Sequence, residues 1–401
     1  IRGLSLNGAS LWPVVVAQAL LCAIAVWRIA RVLLPARTAA IATVTTCLVL
    51  GPITGLGWTA GQLMPDILTA VGAVSIVLLV LQRERWPRRA TDIALVILAC
   101  WCHLSNLVIL PLVASVAVLI GPRPRRRAFL QAVSVAACAW CGLFAANGLL
   151  TGTPHVSRGG HVFLMGRLVD AGLLRPWLQE HCPTEHYGLC AYLDGLPTTS
   201  RAFLWYPESP LQRQGGWEAT RAEYGRIVRG TLTEPRYLWG HVRASLVSTA
   251  RQLRATALAD GVVSPWFGDP ATPPYQRVEQ HVPHELPAFR STWQSTARGR
   301  VPTAVFDVVH ALLLALSAIG GLVLLTRRRT APVVRAAVLL AFAVVLIGAW
   351  ACASLSVVDA RYLARDAWLL PVVVGLGVSA PWVREVHAAD LLEAEASRSQ
   401  G

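Results

Sequence analysis

The chain has 401 residues, 54% of them hydrophobic and 14% charged, with a mean hydropathy of +0.50; a soluble domain carries about 25% charged residues. This deficit excludes a disordered chain, a coiled coil and an ordinary cytosolic enzyme, and points to a polytopic membrane protein. All 36 basic residues are arginine and the net charge is +14, yet no nucleic-acid partner is expected, because many arginines gather in short clusters between apolar runs, as membrane topology requires.

Apolar stretches of about 17–25 residues are transmembrane candidates. In chain order the runs are 11–27, 39–58, 66–82, 91–103, 106–121, 128–150, 303–326, 332–354 and 367–383. The fourth is the shortest and carries Asp92, so it reads as a tilted or partly re-entrant segment. The expected fold is all-α and polytopic, with about nine spans. Six spans fall in residues 1–150 and three in 303–383, with a mostly helical extracytoplasmic domain at 151–302 and a cytoplasmic tail at 384–401.

Arginine placement sets the orientation. Arg28, Arg31 and Arg37 follow the first run, and Arg83, Arg85, Arg88 and Arg89 the third. Arg123, Arg125, Arg126 and Arg127 follow the fifth, and Arg327, Arg328 and Arg329 the seventh. Short loops rich in arginine mark the cytoplasmic side. The opposite loops at 59–65 and 104–105 have none, and 355–366 has Arg361 and Arg365. Residue 1 then lies outside, which is read as an upstream helix and loop preceding Ile1, a cleaved signal segment being the alternative.

Residues 151–302 hold six of the seven tyrosines and seven of the ten histidines. Cys182 and Cys190, in HCPTEHYGLC, are the only cysteines there. An extracytoplasmic location permits a disulfide; free thiols, or a metal held with His181 and His186, are the alternatives. Thr233-Glu-Pro235 opens a helix, with a capping threonine and an early proline. Leu238, Val242, Leu246 and Leu253 then recur at helical spacing. This is either a domain helix with an apolar core face or an amphipathic helix on the outer leaflet anchored by Trp239. Residues 217–231 also read as a helix, and 265–287, broken by prolines and histidines, as a loop.

Ionisable residues at membrane depth are costly and are functional candidates by default. Most gather at the outer ends of the spans. Asp66 opens the third run, His103 closes the fourth, and Asp307 and His310 stand three apart near the start of the seventh. Asp359, Arg361, Tyr362, Arg365 and Asp366 fill the last outer loop. Each has a bland reading too: Asp66 suits a helix N-terminus, His103 a buried hydrogen bond, Asp307 and His310 each other, and Arg361 a headgroup. Asp92 and Arg335, near the other face, are expected to be solvated or to snorkel. A Walker A loop, a GxGxxG after a strand, HExxH and GxSxG are all lacking, against an ATPase, a common zinc protease and a serine hydrolase.

The order of features resembles the GT-C superfamily of polytopic glycosyltransferases, which includes protein mannosyltransferases and the aminoarabinose transferase of lipid A. SLWPVVVAQALLCAIAVWRIARVLLP followed by GQLMPDILTAV, and DARYLARDAWLLPVVVGLGV, carry the likeness. They cover residues 10–80 and 355–380, less than a third of the chain. The resemblance implies a polyprenyl-phosphate-linked sugar donor and an acceptor of unknown identity at the outer face of a bacterial cytoplasmic membrane. It places the main catalytic carboxylate in a loop ahead of Ile1. Asp66 matches the second acidic position, and Arg361 with Tyr362 the late segment. In such a site a carboxylate orients or deprotonates the acceptor hydroxyl, and Arg361 or Arg365 stabilises the departing phosphate. Asp66 and His103 are the catalytic candidates, and a divalent metal shared between them is the one cofactor this reading admits. Arg361, Tyr362 and Arg365 are the phosphate-binding candidates, with Asp307, His310 and Asp359 lining the site. The rival functions are a transporter or flippase for a lipid-linked substrate and a non-catalytic membrane scaffold.

Overall fold

The structure is a computed structural model that describes residues 8–81, 86–121, 125–258, 268–296 and 303–380. The expected tail at 384–401, Arg83, Arg85 and Arg123, and the start at Ile1 lie outside the described residues. Among the described residues every regular element is a helix.

The first group of helices is α1 (Trp12–Leu33), α2 (Ala36–Ile53), α3 (Gly55–Ala60), α4 (Ile67–Leu81), α5 (Trp86–Cys102), α6 (Asn106–Ile120) and α7 (Arg125–Thr151). Short helices and two longer ones follow: α8 (Gly160–Asp170), α9 (Leu174–Glu185), α10 (Ser200–Trp205), α11 (Pro210–Arg213), α12 (Gly216–Ala219), α13 (Arg221–Thr233) and α14 (Pro235–Arg254). After them come α15 (Pro273–His281), α16 (Leu286–Ser291) and α17 (Trp293–Thr296). The chain closes with α18 (Thr303–Thr326), α19 (Pro332–Leu355) and α20 (Ala360–Ala367), whose apolar helix runs on to Ala380.

Among the described residues six helices are long and apolar enough to cross a membrane: α1, α2, the 129–151 part of α7, α18, α19 and the extended α20. Ile67–Val80 and Asn106–Ile120 are shorter apolar helices. α5 starts earlier than the run at 91–103 and draws Arg88, Arg89 and Asp92 into its first turns. α2, α7 and α18 leave large apolar side chains bare, among them Leu48, Phe144 and Leu316. Such surface would aggregate in water and matches lipid hydrocarbon. The chain is a helical membrane protein.

Helix ends follow from local chemistry. Pro332 sits in the first turn of α19, where its missing N–H costs nothing. Pro52 closes α2, and Thr54 accepts from the Leu56 N–H to start α3. The Trp58 indole donates to the Pro52 carbonyl. Gly55 is required by proximity: a Cβ there would meet the Ala364 carbonyl oxygen at 1.7 Å. α3 and α20 therefore touch backbone to backbone.

One core joins α1, α4, α6, α19 and α20, with Val26, Ala70, Ile109, Val338 and Trp368 buried in it. A second core, of Met165, Trp177, Phe203, Tyr224 and Ile227 among others, has its buried residues between 162 and 237, with Val357 packed against it. Cys182 and Cys190 are joined there, with Cα atoms 5.8 Å apart. His181 bonds Trp177 and Glu234, and the metal alternative for this loop falls away.

Three expectations need correction. Asp92 is neither solvated nor snorkelling: it is 1% exposed and bound in two places by Arg28 from α1, one contact at 2.8 Å. Burial forces that pairing, since an isolated buried carboxylate is prohibitively costly. Residues 265–287 are not simply loop, because α15 lies within them; Pro273 and Pro274 occupy its first turn, where proline is tolerated. The expected helix at 217–231 breaks at Thr220 into α12 and α13. Arg335 donates to the Arg327 and Arg328 carbonyls, tying α19 to the end of α18.

Candidate functional site

Helix ends meet in two sets. At one end Arg28 of α1 meets Asp92 of α5, Arg89 of α5 meets Gln131 of α7, and α18 hands over to α19. At the other end four separated segments converge. They are the turn before α4 (Met64, Asp66), the α5–α6 turn (His103, Ser105), the end of α19 (Cys352) and the first turns of α20 (Arg361, Tyr362, Arg365).

Asp359 starts α20 by accepting from the Arg361 N–H at 3.1 Å. The helix then stacks Arg361 and Arg365 one turn apart, with Tyr362 between them. Both guanidinium groups lie over the Tyr362 ring, 4.8 and 5.1 Å from its centroid.

Arg365 is fully buried. It donates to Asp66 at 3.1 Å, to Ser105 at 3.1 Å, to the Cys352 sulfur at 3.0 Å and toward His103 Nε2 at 3.2 Å. A guanidinium only donates, so His103 Nε2 accepts. His103 Nδ1 lies 2.8 Å from Ser105 Oγ and 3.4 Å from the Ser105 backbone nitrogen, so the ring is held from both sides with Nε2 turned inward. The guanidinium stands between Asp66 and His103, which are 3.6 Å apart, where the shared metal was expected. Among the described residues no group of three or more His, Cys, Asp or Glu side chains could hold a metal ion.

Arg361 differs from Arg365. Its side chain is 32% exposed, it donates to the Tyr362 hydroxyl at 3.1 Å and toward the Met64 sulfur at 3.7 Å, and its Nε has no hydrogen-bond partner. Its carboxylate neighbour is Asp359, 3.9 Å away. This guanidinium keeps donor capacity for an arriving anion.

Asp366 is the site's unexplained charge. It is fully buried and neither carboxyl oxygen has a hydrogen bond. It fits against Gly348 of α19, where a Cβ would come within 2.5 Å of it.

The remaining candidates divide. Asp359 belongs to the rim: its backbone exchanges two hydrogen bonds with the Gln252 side chain of α14. Asp307 and His310 do not join the cluster or each other. Asp307 accepts from the Leu258 N–H at 2.7 Å, and His310 bonds the Thr256 carbonyl at 2.7 Å. They fasten α18 to the strand of chain leaving α14, and their spacing reflects that task. The sequence reading missed Ser105, Cys352 and Asn106. Asn106 is buried and joins Thr69 of α4 to the Ala99 carbonyl of α5. Ser105 and Asn106 could have been suspected from their place beside His103, whereas nothing in an apolar run singles out Cys352.

Two narrow apolar crevices lie among the described helices, and neither is lined by a residue of the cluster. The chemistry here is a closed ionic knot with one accessible rim. No protein-family model, curated protein or solved structure matches this chain.

Proposed function

We propose that the protein is a GT-C-like glycosyltransferase, moving a sugar from a polyprenyl-phosphate donor to an acceptor at the outer face of a bacterial cytoplasmic membrane. The proposal includes nine spans, with the insert at 151–302 outside. The observation that carries it is Arg361: a partly exposed guanidinium, braced on Tyr362 at the edge of a buried ion pair. A phosphate arriving from the lipid would meet it directly, and its charge would be held as the bond to the sugar's anomeric carbon breaks. Arg365, Asp66 and His103 are positioning residues in this scheme. They fix the first turns of α20 and hence the place of Arg361. The two sets of helix ends fit the alternation that the proposed topology requires.

Arg361→Ala tests the site. Losing one charge-assisted bidentate contact should weaken retention of a polyprenyl phosphate by about tenfold or more. The readouts are binding of labelled polyprenyl phosphate to the complete protein in nanodiscs and sugar transfer in membranes. Unchanged binding by Arg361→Ala rejects the reading. Asp366 favours a second reading. A buried carboxyl without a partner, together with the Arg28–Asp92 pair at the opposite end, suits a carrier that moves charge through the bundle. Uptake of a lipid-linked substrate that stops in Asp366→Asn, with no transfer product, would favour it.

A further inference from the structure

α14 is built inside out for a soluble domain. Its buried side is polar or small: Ser245 bonds Ser354 at 2.7 Å, Ser248 takes a bond from the buried Arg167, and Gln252 holds Asp359. Its apolar residues are bare, with Trp239 69% and Leu246 66% exposed and Leu238 and Val242 open beside them. At about 100° per residue, these four fall within an arc of roughly 100°. Arg243, Arg251 and Arg254 occupy the adjoining arc, all exposed. None of the three has a carboxylate partner among the described residues.

Two placements say what covers this surface. Ser354 is one residue from the end of α19, and Asp359 immediately precedes α20. The middle of α14 therefore lies level with the ends of membrane helices, where hydrocarbon gives way to headgroups. An apolar arc edged by arginines, with a tryptophan on it, matches that boundary on both counts. We infer that α14 is an interfacial helix whose Leu238, Trp239, Val242 and Leu246 enter the acyl boundary while Arg243, Arg251 and Arg254 bind the phosphates of anionic phospholipids. The inference stands apart from the transferase reading, since it does not depend on Arg361 or on what binds there.

The test is amide hydrogen exchange across residues 235–254 in the full chain, in detergent titrated with phosphatidylglycerol or phosphatidylcholine. Phosphatidylglycerol should slow exchange on α14, and phosphatidylcholine should do so only at much higher concentration. Each arginine near an anionic surface contributes about a fivefold gain in affinity. The triple variant Arg243→Gln/Arg251→Gln/Arg254→Gln should therefore need about a hundredfold more phosphatidylglycerol for half protection. Leu246→Asp should also weaken protection, while exchange elsewhere in both variants stays as in the parent. Equal protection by the two lipids overturns the headgroup assignment. Protection by glycerol phosphate alone identifies a free-phosphate site and overturns it too. Protection that grows with protein concentration in lipid-free detergent identifies a second copy as the occupant and has the same consequence.

Discussion

Removing the charge of Asp66 should do more harm to the fold than to any chemistry. Arg365 is fully buried and Asp66 is 4% exposed, so neither can turn to water when its partner is lost. Breaking a buried ion pair from one side costs about 3–5 kcal/mol, because the survivor stays charged and desolvated. Asp66→Leu removes the carboxylate that Arg365 bonds and leaves its hydrogen bonds to His103, Ser105 and the Cys352 sulfur. Arg365→Met leaves Asp66 with the His103 imidazole 3.6 Å away. Each single variant should fall within that range, roughly a two- to four-decade loss in the folded ratio. The double variant removes both charges and should recover most of the loss, ending within about 2 kcal/mol of the parent. Reversible unfolding in bicelles, followed by tryptophan fluorescence, measures all three. Two single variants costing under about 1 kcal/mol each, or a double variant whose cost is their sum, would refute the buried knot.

Three further outcomes are expected. Gly55→Ala should cost about 3 kcal/mol or more, because its new methyl group collides with the Ala364 backbone; Gly51→Ala in α2 meets nothing within 4 Å and should be neutral or slightly stabilising, and equal behaviour of the two would contradict the α3–α20 contact. Reducing Cys182–Cys190, which are separated by 8 positions, should destabilise the insert by about 2.5 kcal/mol on the loop-entropy scale. Thiol labelling that is identical with and without reductant would show that the bridge does not form. Burial holds the imidazoles of His161 and His241 below the ordinary value of 6.5. The unfolded chain then binds more protons than the folded one below about pH 6.5, so the insert should lose stability as pH falls from there. His161→Gln/His241→Gln should flatten that slope, and an unchanged slope would show that neither ring contributes.

The fold class was legible because its signals are long and redundant. An apolar run such as 332–354 tolerates error at either end, and arginine clusters recur at every second loop. What could not be read were pairings between runs. Asp92 looked like an interfacial residue because its partner, Arg28, lies 64 positions away on a different helix and itself resembled a topological arginine. α14 showed the opposite weakness. Its apolar spacing was plain, but spacing alone does not say whether the apolar arc faces a protein core or lipid. The structure adds that the partnered residues, Ser245, Ser248 and Gln252, lie on its other side. Asp307 and His310 misled for a related reason, since three-residue spacing puts two side chains on one face without stating what that face meets.

Arg361 and Arg365 make the same point within the site. In the sequence they are equivalent, one helical turn apart in ARYLARDA, and either could hold a phosphate. Position along α20 separates them. Arg361 lies in the first turn, next to the Asp359 cap, and looks outward past Met64. Arg365 lies one turn deeper, where α19 and the α5–α6 turn close over it. Depth therefore turns one guanidinium into a structural tie and leaves the other partly open at the surface. An arginine that already binds an aspartate, an imidazole, a hydroxyl and a sulfur has little left to offer a ligand. If a phosphate is recognised at this rim, the difference should appear as a change of type. Arg361→Lys should keep stability and lose part of the binding, since a point charge replaces a planar fork. Arg365→Lys should lose stability first, because three donors cannot reproduce that set of contacts.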